Sequence, residues 1–386
     1  MSFIILIIFI CDIIKSMLIK IRNFITNNAV AVIAFILASI TIFYVPIDKE
    51  YIHYIDYKTI TCLFLISCII SAFKDINFFY YVAREIIIRF NTFRKSYIAL
   101  ITITFVGSMI IANDMALITF LPLGYLILKE TNNEDKEAFV FIMQNIAANL
   151  GGMLTPFGNP QNLYIYTKYN IDNFLFNKIM FIPFVVAILL LYLSSLFVGN
   201  EKLILEHQDI KTHKVKQRIY VFLFVLAIFV VFRYVPLIIG LIIIPIIIFL
   251  LDRNAFKNVD YSLLMTFVFF FIFSSNLARI NEVNIFFSNL LKKNVYFTTL
   301  LSCQFMSNVP TSILLSKFTN DYIPLLYGVN IGGLGTLIAS LASLITFRNY
   351  AALNPKKIGS YLLLFTFINL IFIVIESIVI VNLLKI

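Results

Sequence analysis

The chain has 386 residues, of which 61% are hydrophobic, 16% aromatic and 13% charged, whereas a soluble domain carries about 25% charged residues. Its mean hydropathy is +0.95, and several uncharged runs approach about 20 residues, the length at which a helix crosses a bilayer. This composition excludes a soluble enzyme or a soluble binding domain. We therefore expect one all-α polytopic membrane protein with the lipid bilayer as a partner.

The net charge of +10 comes from 30 Lys and Arg residues against 20 Asp and Glu residues. The basic residues lie in short loops between apolar runs, which is the positive-inside pattern and predicts no nucleic-acid partner. The stretches 74–95, 199–218 and 348–357 are predicted to face the cytoplasm, and loops 46–58 and 168–173 the other side. We expect a multi-pass protein of a cell membrane, such as a prokaryotic inner or plasma membrane.

The apolar helix candidates, in chain order, are roughly 28–45, 59–73, 96–112, 114–128, 138–168, 174–198, 219–234, 236–251, 262–277, 295–306, 310–316, 322–347 and 358–383. Two of them, 138–168 and 322–347, are predicted to be broken. Both contain Gly in their middles and the first also contains Pro; each Gly costs about 1 kcal/mol and each Pro about 3 kcal/mol inside a helix. The basic loops alternate between faces only if 96–128 and 295–316 are re-entrant hairpins, whose arms are short for a crossing.

An internal repeat accompanies these two breaks. Asn149-Leu-Gly-Gly-Met-Leu-Thr155 aligns without gaps with Asn330-Ile-Gly-Gly-Leu-Gly-Thr336, and each follows a predicted hairpin whose turn holds an Asn. The charge pattern places the hairpins on opposite faces, so we predict an inverted-topology repeat, as in many secondary transporters. The expected organisation is an N-terminal interfacial or extra transmembrane helix (1–24), the first repeat (25–198), a cytoplasmic linker (199–218), a connecting transmembrane helix (219–235) and the second, inverted repeat (236–386).

Two broken helices and two hairpin tips predict a polar centre, because unwound backbone at membrane depth must be buried in protein or line a cavity. Half-helix N-termini favour an anion there, and freed carbonyls with Asn, Ser and Thr oxygens suit a hard cation such as sodium. The predicted substrate and ion ligands are Asn113, Asp114, Thr155, Gly158, Asn159, Ser307, Asn308, Thr311, Gly333 and Thr336. Sodium is expected at Asn113, Asn159, Asn308 and Thr336. In the alternative interpretation, the Asn and Ser residues only cap half-helices.

Two carboxylates lie within apolar segments, where an unpaired charge costs about 3 kcal/mol on insertion scales. Asp114, at the first hairpin tip, is the stronger candidate to bind a coupling ion. In the structural alternative, Asp114 is a first-turn residue whose negative charge interacts favourably with the helix dipole. Glu376, inside the last span, is either functional or close to the outer membrane interface.

Four tracts carry a family resemblance: IANDMALITFLPL (111–123), NIAANLGGMLTPFGNPQNLYIY (145–166), QFMSNVPTSILL (304–315) and GVNIGGLGTLIASLASL (328–344). They resemble the citrate-transporter-like permeases of the ion transporter superfamily. That superfamily also includes divalent anion:sodium symporters, the arsenite pump membrane subunit and a class of sodium/proton antiporters. The resemblance covers residues 25–383 and implies the fold above and a homodimer.

The hairpin tips of the carboxylate symporters in this superfamily carry a Ser-Asn-Thr motif. The corresponding positions here are Ala112-Asn113-Asp114 and Ser307-Asn308-Val309, so only the asparagines and Ser307 match. The first tip has the sequence Asn-Asp and the other has Ser-Asn-Val-Pro, and both resemble the arsenite and antiporter branches more closely.

We expect secondary-active transport of a small anion, a carboxylate such as citrate or an inorganic anion, coupled to sodium or protons by alternating access. The alternatives are a sodium/proton antiporter, in which Asp114 exchanges the cations, and an arsenite efflux permease. No enzyme is expected, because a membrane hydrolase needs a His or paired Asp beside its nucleophile and no predicted span contains a His. No cofactor is expected beyond a sodium ion or proton as coupling ion.

Topology is directly testable. Asn133 and His207 are predicted to be cytoplasmic, and Tyr54 and Asn320 external. Single cysteines at these positions, in a background without the four native cysteines, should react with impermeant reagents from opposite faces. Labelling of positions 133 and 320 from the same face would contradict the inverted repeat.

Overall fold

The structure is a computed structural model that describes residue 25, residues 28–203 and residues 213–385. The expectations for residues 1–24, for His207 and for the middle of the predicted linker 199–218 lie outside the described residues.

The described chain is all-α, as predicted, and its only β-pairing is an isolated bridge between Thr92 and Lys202. In chain order the helices are α1 (Ala29–Tyr44), α2 (Tyr51–Tyr54), α3 (Tyr57–Asp75), α4 (Phe78–Ile87), α5 (Phe93–Ile111), α6 (Asn113–Glu130), α7 (Glu137–Gly151), α8 (Pro160–Lys168), α9 (Asn173–Leu193), α10 (Lys214–Val231), α11 (Leu237–Leu251), α12 (Tyr261–Arg279), α13 (Asn281–Lys293), α14 (Val295–Met306), α15 (Asn308–Leu315), α16 (Tyr322–Ile331), α17 (Leu341–Leu353) and α18 (Ile358–Leu384).

Five of the described helices are long and apolar enough to cross a membrane by length and composition. They are α3, α5, α9 with the turn that follows it, α12 and α18. With the shorter apolar helices α1, α11, α14 and α16 between them, they make this chain a polytopic membrane protein.

Polar side chains set where several helices begin. Asp56 accepts hydrogen bonds from the backbone N–H groups two and three residues ahead, both at 3.1 Å, at the start of α3. Asp172 does the same for α9, at 2.9 and 3.0 Å. Asn294 accepts from the N–H of Phe297 at 2.9 Å and starts α14. Each bond satisfies a donor that a helix N-terminus leaves unpaired, which fixes the helix boundaries within the apolar sequence.

The chain divides into two compact units, and the first contains residues 1–55 and 260–284. In its described part, α1 packs along α12, and the rings of Phe35 and Phe269 meet edge to face with centroids 5.2 Å apart. Buried Asn276 of α12 donates to the Thr41 hydroxyl at 3.1 Å, which joins the two helices by a polar contact as well.

An ion pair closes the end of this unit. Arg279, the last residue of α12, donates to both carboxylate oxygens of Asp48, at 3.1 and 2.7 Å, and to the hydroxyl of Tyr54. The hydrogen bond from the guanidinium holds the pKa of the Asp48 carboxyl below its ordinary value. The ion pair holds the loop after α1 in place. Because both side chains are exposed, the pair contributes little to the free energy of unfolding.

The second unit contains residues 56–259 and 285–386. Helices α3, α10 and α11 pack around a core that includes Leu65, Phe73, Tyr220, Ile244 and Ile248. The rest of the unit holds two helical hairpins, α5–α6 and α14–α15, and two interrupted pairs, α7–α8 and α16–α17. The first arm of each hairpin packs on the first half of the interrupted pair that follows it, so the same arrangement occurs twice.

The two hairpins differ in length. The arms of the first have 19 and 18 residues, and those of the second have 12 and 8. The expectation of short arms is therefore wrong for α5, which begins at Phe93 and is long enough to cross a membrane. The re-entrant path of both hairpins stays a prediction.

Burial refines the topology experiment. Asn133 and Tyr54 are only 6% and 9% exposed, so a reagent would reach cysteines there poorly on either face. Their neighbours Asn132 and His53 are exposed, as is Asn320. Cysteines at positions 53, 132 and 320 therefore test the same prediction more directly.

Candidate ion and substrate site at the helix breaks

The two hairpin tips share an unusual backbone conformation. Ala112, between α5 and α6, has φ 64° and ψ 156°, and Ser307, between α14 and α15, has φ 72° and ψ 157°. This region is almost restricted to glycine and costs other residues about 1–3 kcal/mol. Strain of this kind persists only where the surrounding structure imposes it. Its presence at both tips indicates a common structural requirement.

The residue after each tip is a buried asparagine. The side-chain oxygen of Asn113 accepts the N–H of Asp114 at 3.1 Å, and that of Asn308 accepts the N–H of Val309 at 2.9 Å. Each asparagine thus bonds the second N–H of its own helix, so capping of the half-helix stays open for Asn113 and Asn308. The residues at the N-cap positions of α6, α8 and α15, which are Ala112, Asn159 and Ser307, make no side-chain cap.

Glycines let each broken span approach its hairpin. A Cβ on Gly151, the last residue of α7, would lie 2.1 Å from the carbonyl oxygen of Phe105 in α5. A Cβ on Gly332, directly after α16, would lie 2.8 Å from the sulfur of Cys303 in α14. The space between arm and span thus admits no side chain, and the helices end beside the tips.

Two threonines tie the breaks to the first hairpin arms. The Thr155 hydroxyl donates to the carbonyl of Met109, and the Thr336 hydroxyl donates to that of Gln304, both at 2.9 Å. Each carbonyl lies three residues before a tip, where the end of a helix leaves acceptors unpaired. The structure therefore places both predicted threonines at equivalent positions on the arms. Thr336 is exposed there.

The asparagines of the first copy meet in one cluster. The Asn113 amide donates to the side-chain oxygen of Asn149 at 3.0 Å, and the Asn149 amide donates to the carbonyl of Asn145 at 3.1 Å. A Cβ on Gly333, in the second break, would lie 2.9 Å from the Asn308 amide nitrogen and 3.7 Å from the Asn149 oxygen. Both tips and the second break therefore meet at Asn149.

The cluster continues into the start of α17. The Asn145 amide donates to the Ser343 hydroxyl at 3.3 Å, and that hydroxyl lies 3.0 Å from the hydroxyl of Ser340. The backbone N–H of Asn308 donates to the carbonyl of Ala339 at 3.0 Å. The second hairpin and α17 are thereby joined to the asparagines of α7.

Two oxygens of the cluster lack partners within the described chain. The Asn159 amide donates to the carbonyl of Asn149 at 3.4 Å, but the Asn159 side-chain oxygen has no hydrogen bond. The Asn330 amide donates to Asn162 at 2.7 Å, and the Asn330 side-chain oxygen is likewise unpaired. Both residues are 1% exposed. A buried acceptor without a partner costs about 1–3 kcal/mol, so these two oxygens are suited to accept a cation or a donor.

The electrostatic potential at the asparagine cluster is set mainly by the partial charges of helix ends. The N-termini of α6, α8, α15 and α17 and the C-termini of α5, α7, α14 and α16 lie beside the tips and breaks. N-termini carry a partial positive charge and C-termini a partial negative charge. The amides and hydroxyls are neutral, and Asp114, partly exposed in the first turn of α6, adds a carboxylate at the edge. The arrangement suits an anion and a small cation together.

The other predicted residues support this geometry. Thr311 donates to the carbonyl of Ser307 at 2.7 Å and so holds the second tip. A Cβ on Gly158 would lie 2.4 Å from the carbonyl oxygen of Gly152, so glycine is required for the turn before α8.

Sequence reasoning left five residues out of the predicted site: Asn145, Asn149, Asn162, Asn330 and Ser343. The repeat alignment contains Asn149 and Asn330, and this shared position is the signal that identifies them. Asn145 lies one turn before Asn149 on the same face of α7, so helical spacing points to it. Nothing in the sequence pairs Asn162 or Ser343 with their partners.

The strained tip gives a stability prediction. Replacing Ala112 with glycine should raise the free energy of unfolding by about 1 kcal/mol, because relief of strain exceeds the added entropy of the unfolded chain. Ala99→Gly, in the middle of α5, is the matched control and should lower it by about 1 kcal/mol. Thermal unfolding in detergent measures both. Equal destabilisation by the two substitutions would contradict strain at Ala112.

Comparison of the amino-acid sequence with known proteins places this chain among transporters. A family model described as "Citrate transporter" matches residues 4–321, a range that includes both hairpins and the first interrupted pair. The chain is 36% identical over 318 residues to the "Uncharacterized transporter MJ0456" of Methanocaldococcus jannaschii, which covers 82% of this chain and 86% of that protein. It is 28% identical over 316 residues to the "Inner membrane protein YbiR" of Escherichia coli (strain K12). That alignment covers 79% of this chain and 83% of the Escherichia coli protein.

Proposed function

Because this chain belongs to the citrate transporter family, we propose that it is a secondary-active transporter of a small anion. The substrate is a carboxylate such as citrate, or an inorganic anion, and its transport is coupled to sodium or protons. The protein acts as a permease without enzymatic activity. Its setting is the multi-pass membrane location that the family match and the apolar helices support.

The observation that carries this proposal is the meeting of two tips and two breaks at Asn149. Eight helix ends lie together there, and neutral amides lie among them. The N-terminal ends stabilise an anion, as in other transporters built from discontinuous helices. No separate charged residue is needed to bind the substrate, which lets the anion leave as readily as it enters.

Sodium is the proposed cation at the predicted positions Asn113, Asn159, Asn308 and Thr336. The unpaired oxygen of Asn159 supports the first-copy site, since amide and carbonyl oxygens are ligands that hard cations prefer. We add Asn330 to the proposed ligands because its side-chain oxygen is equally buried and unpaired.

Alternating access is proposed to move the hairpins and broken spans as one body against a scaffold. Hydrogen bonds between elements support this: Asn113 donates to Asn149, Asn145 to Ser343 and Asn330 to Asn162. The inverted repeat of residues 25–198 and 236–386, and a homodimer in the bilayer, belong to the same proposal.

Uptake into proteoliposomes tests the function. Citrate, succinate, phosphate, arsenite and sodium are each offered under an imposed sodium or proton gradient. Accumulation of an anion supports the proposal. Movement of sodium against protons without any anion would replace it with the antiporter alternative, which Asp114 beside the cluster favours.

The tip asparagines should be essential for transport. Asn113→Ala and Asn308→Ala each remove a buried amide from the cluster without removing apolar surface, so transport should be abolished while folded protein is retained. Asn349→Ala is the matched control, because Asn349 is exposed on α17 and bonds only within its own helix. Uptake per folded molecule is the measurement. Normal uptake per folded molecule in the tip variants would support a purely structural role.

Asp114 separates coupling from helix stabilisation. Asp114→Asn keeps the size of the side chain and one oxygen but removes titration. If Asp114 binds the coupling ion, the variant should lose gradient-driven accumulation and the pH dependence of transport, while exchange survives. If it only stabilises the N-terminus of α6, the cost is at most about 1 kcal/mol of stability and coupled transport stays normal. Uptake measured across a pH series decides between them.

A further inference from the structure

The last helix holds a second buried carboxyl. Glu376 lies in α18 and is 0% exposed, and neither carboxylate oxygen has a hydrogen-bond partner in the described chain. The side chain is therefore enclosed by the protein, while the position of Glu376 relative to the outer membrane interface stays a prediction. We propose that Glu376 is a proton-binding site of this transporter, and this role in coupling rests on the proposed function.

The physical basis is the free-energy cost of an unpaired charge. A carboxylate in a dry protein interior loses its hydration, and without a cation or donor nearby this cost is not offset. Binding one proton to a carboxylate oxygen converts the group to a neutral acid and removes the cost. The proton returns to water when water reaches the carboxyl again.

Few groups near Glu376 can change this balance. Helix α18 packs against α7, α9 and α16, and Ser377 contacts α14. Tyr296 of α14 is a titratable group close to Glu376. Tyr327 of α16 donates to the carbonyl of Ile179 in α9, and Glu137 of α7 interacts with Asn354 and Lys357 instead. The titratable residues of α9 are Lys178 near its start and Tyr192 near its end.

A hydroxyl pair lies at the residue next to Glu376 in the chain and includes a residue that lines a cavity. The Tyr296 hydroxyl lies 2.7 Å from the hydroxyl of Ser377, the residue next to Glu376. Tyr296 also lines a cavity of about 620 Å³ whose polar lining includes Lys292, Lys293 and Asp321. Hydroxyl groups both donate and accept hydrogen bonds, so in this proposal the pair lies on the path of the proton between the cavity and Glu376, although neither hydroxyl bonds the carboxyl directly.

The same face of α18 reaches the second break. Asn369 precedes Glu376 by two helical turns, and both side chains are completely buried. The Asn369 side-chain oxygen accepts the N–H of Gly335, within the break, at 3.4 Å. A change of charge at Glu376 thus acts on a helix that already contacts the proposed ion and substrate site.

Infrared difference spectroscopy of the reconstituted protein between acidic and alkaline pH tests proton binding without any substrate. We expect a band from a protonated carboxyl in an apolar setting, lost in Glu376→Gln and retained in Glu282→Gln, whose carboxyl is exposed. Tyr296→Phe should keep the band but slow its exchange with deuterated water. If Glu376→Gln does not fold, Glu376→Asp should shift the band. A spectrum unchanged by substitution at position 376 overturns the proposal.

Citrate uptake under a proton gradient tests the coupling role. Glu376→Gln should lose accumulation above the equilibrium level while citrate exchange continues. Wild-type accumulation in a variant that has lost the band would show that the proton site is not used for coupling. If the wild-type protein transports no anion at all, the proposed function fails, while the infrared result still decides whether Glu376 binds a proton.

Discussion

Backbone groups at helix ends need hydrogen-bond partners, and in this protein eight such ends lie together inside an apolar molecule. Each unsatisfied group in hydrocarbon costs several kcal/mol, so the local sequence must supply partners. The hydroxyls of Thr155 and Thr336 pair with carbonyls of the hairpin arms, and the Asn162 amide pairs with the carbonyl of Gly152. Within the described chain the side-chain oxygens of Asn159 and Asn330 remain unpaired after this, and they are the acceptors that we propose for a bound ion.

The two copies share a backbone but not a chemistry. Both tips have the same φ and ψ and the same following asparagine, yet the next residue is Asp114 in one copy and Val309 in the other. The residue that starts the second half-helix is Asn159 in the first copy and Ser340 in the second. The first copy therefore presents more amide and carboxylate oxygens. Two half-sites of unequal character fit a protein that handles an ion and a substrate together.

Much of the fold follows from the sequence because its signals are local. Gly151, Pro160 and Gly332 interrupt apolar runs, and these interruptions lie at the helix ends of the structure. The hydrogen bond between Asn162 and Asn330 was not predictable, since it joins residues 168 positions apart and no periodicity relates them. The burial of Glu376 was not predictable either. Helix α18 is apolar on every side, so its sequence does not show which side faces the protein.

The close approach at Gly151 and Gly332 has a mechanical consequence. Since no side chain separates Gly151 from the carbonyl of Phe105, a shift of α7 along α5 that brought Leu150 to this position would place a side chain against that carbonyl. The close contact thus opposes sliding between α5 and α7 in that direction, and the contact of Gly332 with Cys303 does the same for α14 and α16. Each hairpin arm is therefore expected to move together with the half-span that follows it.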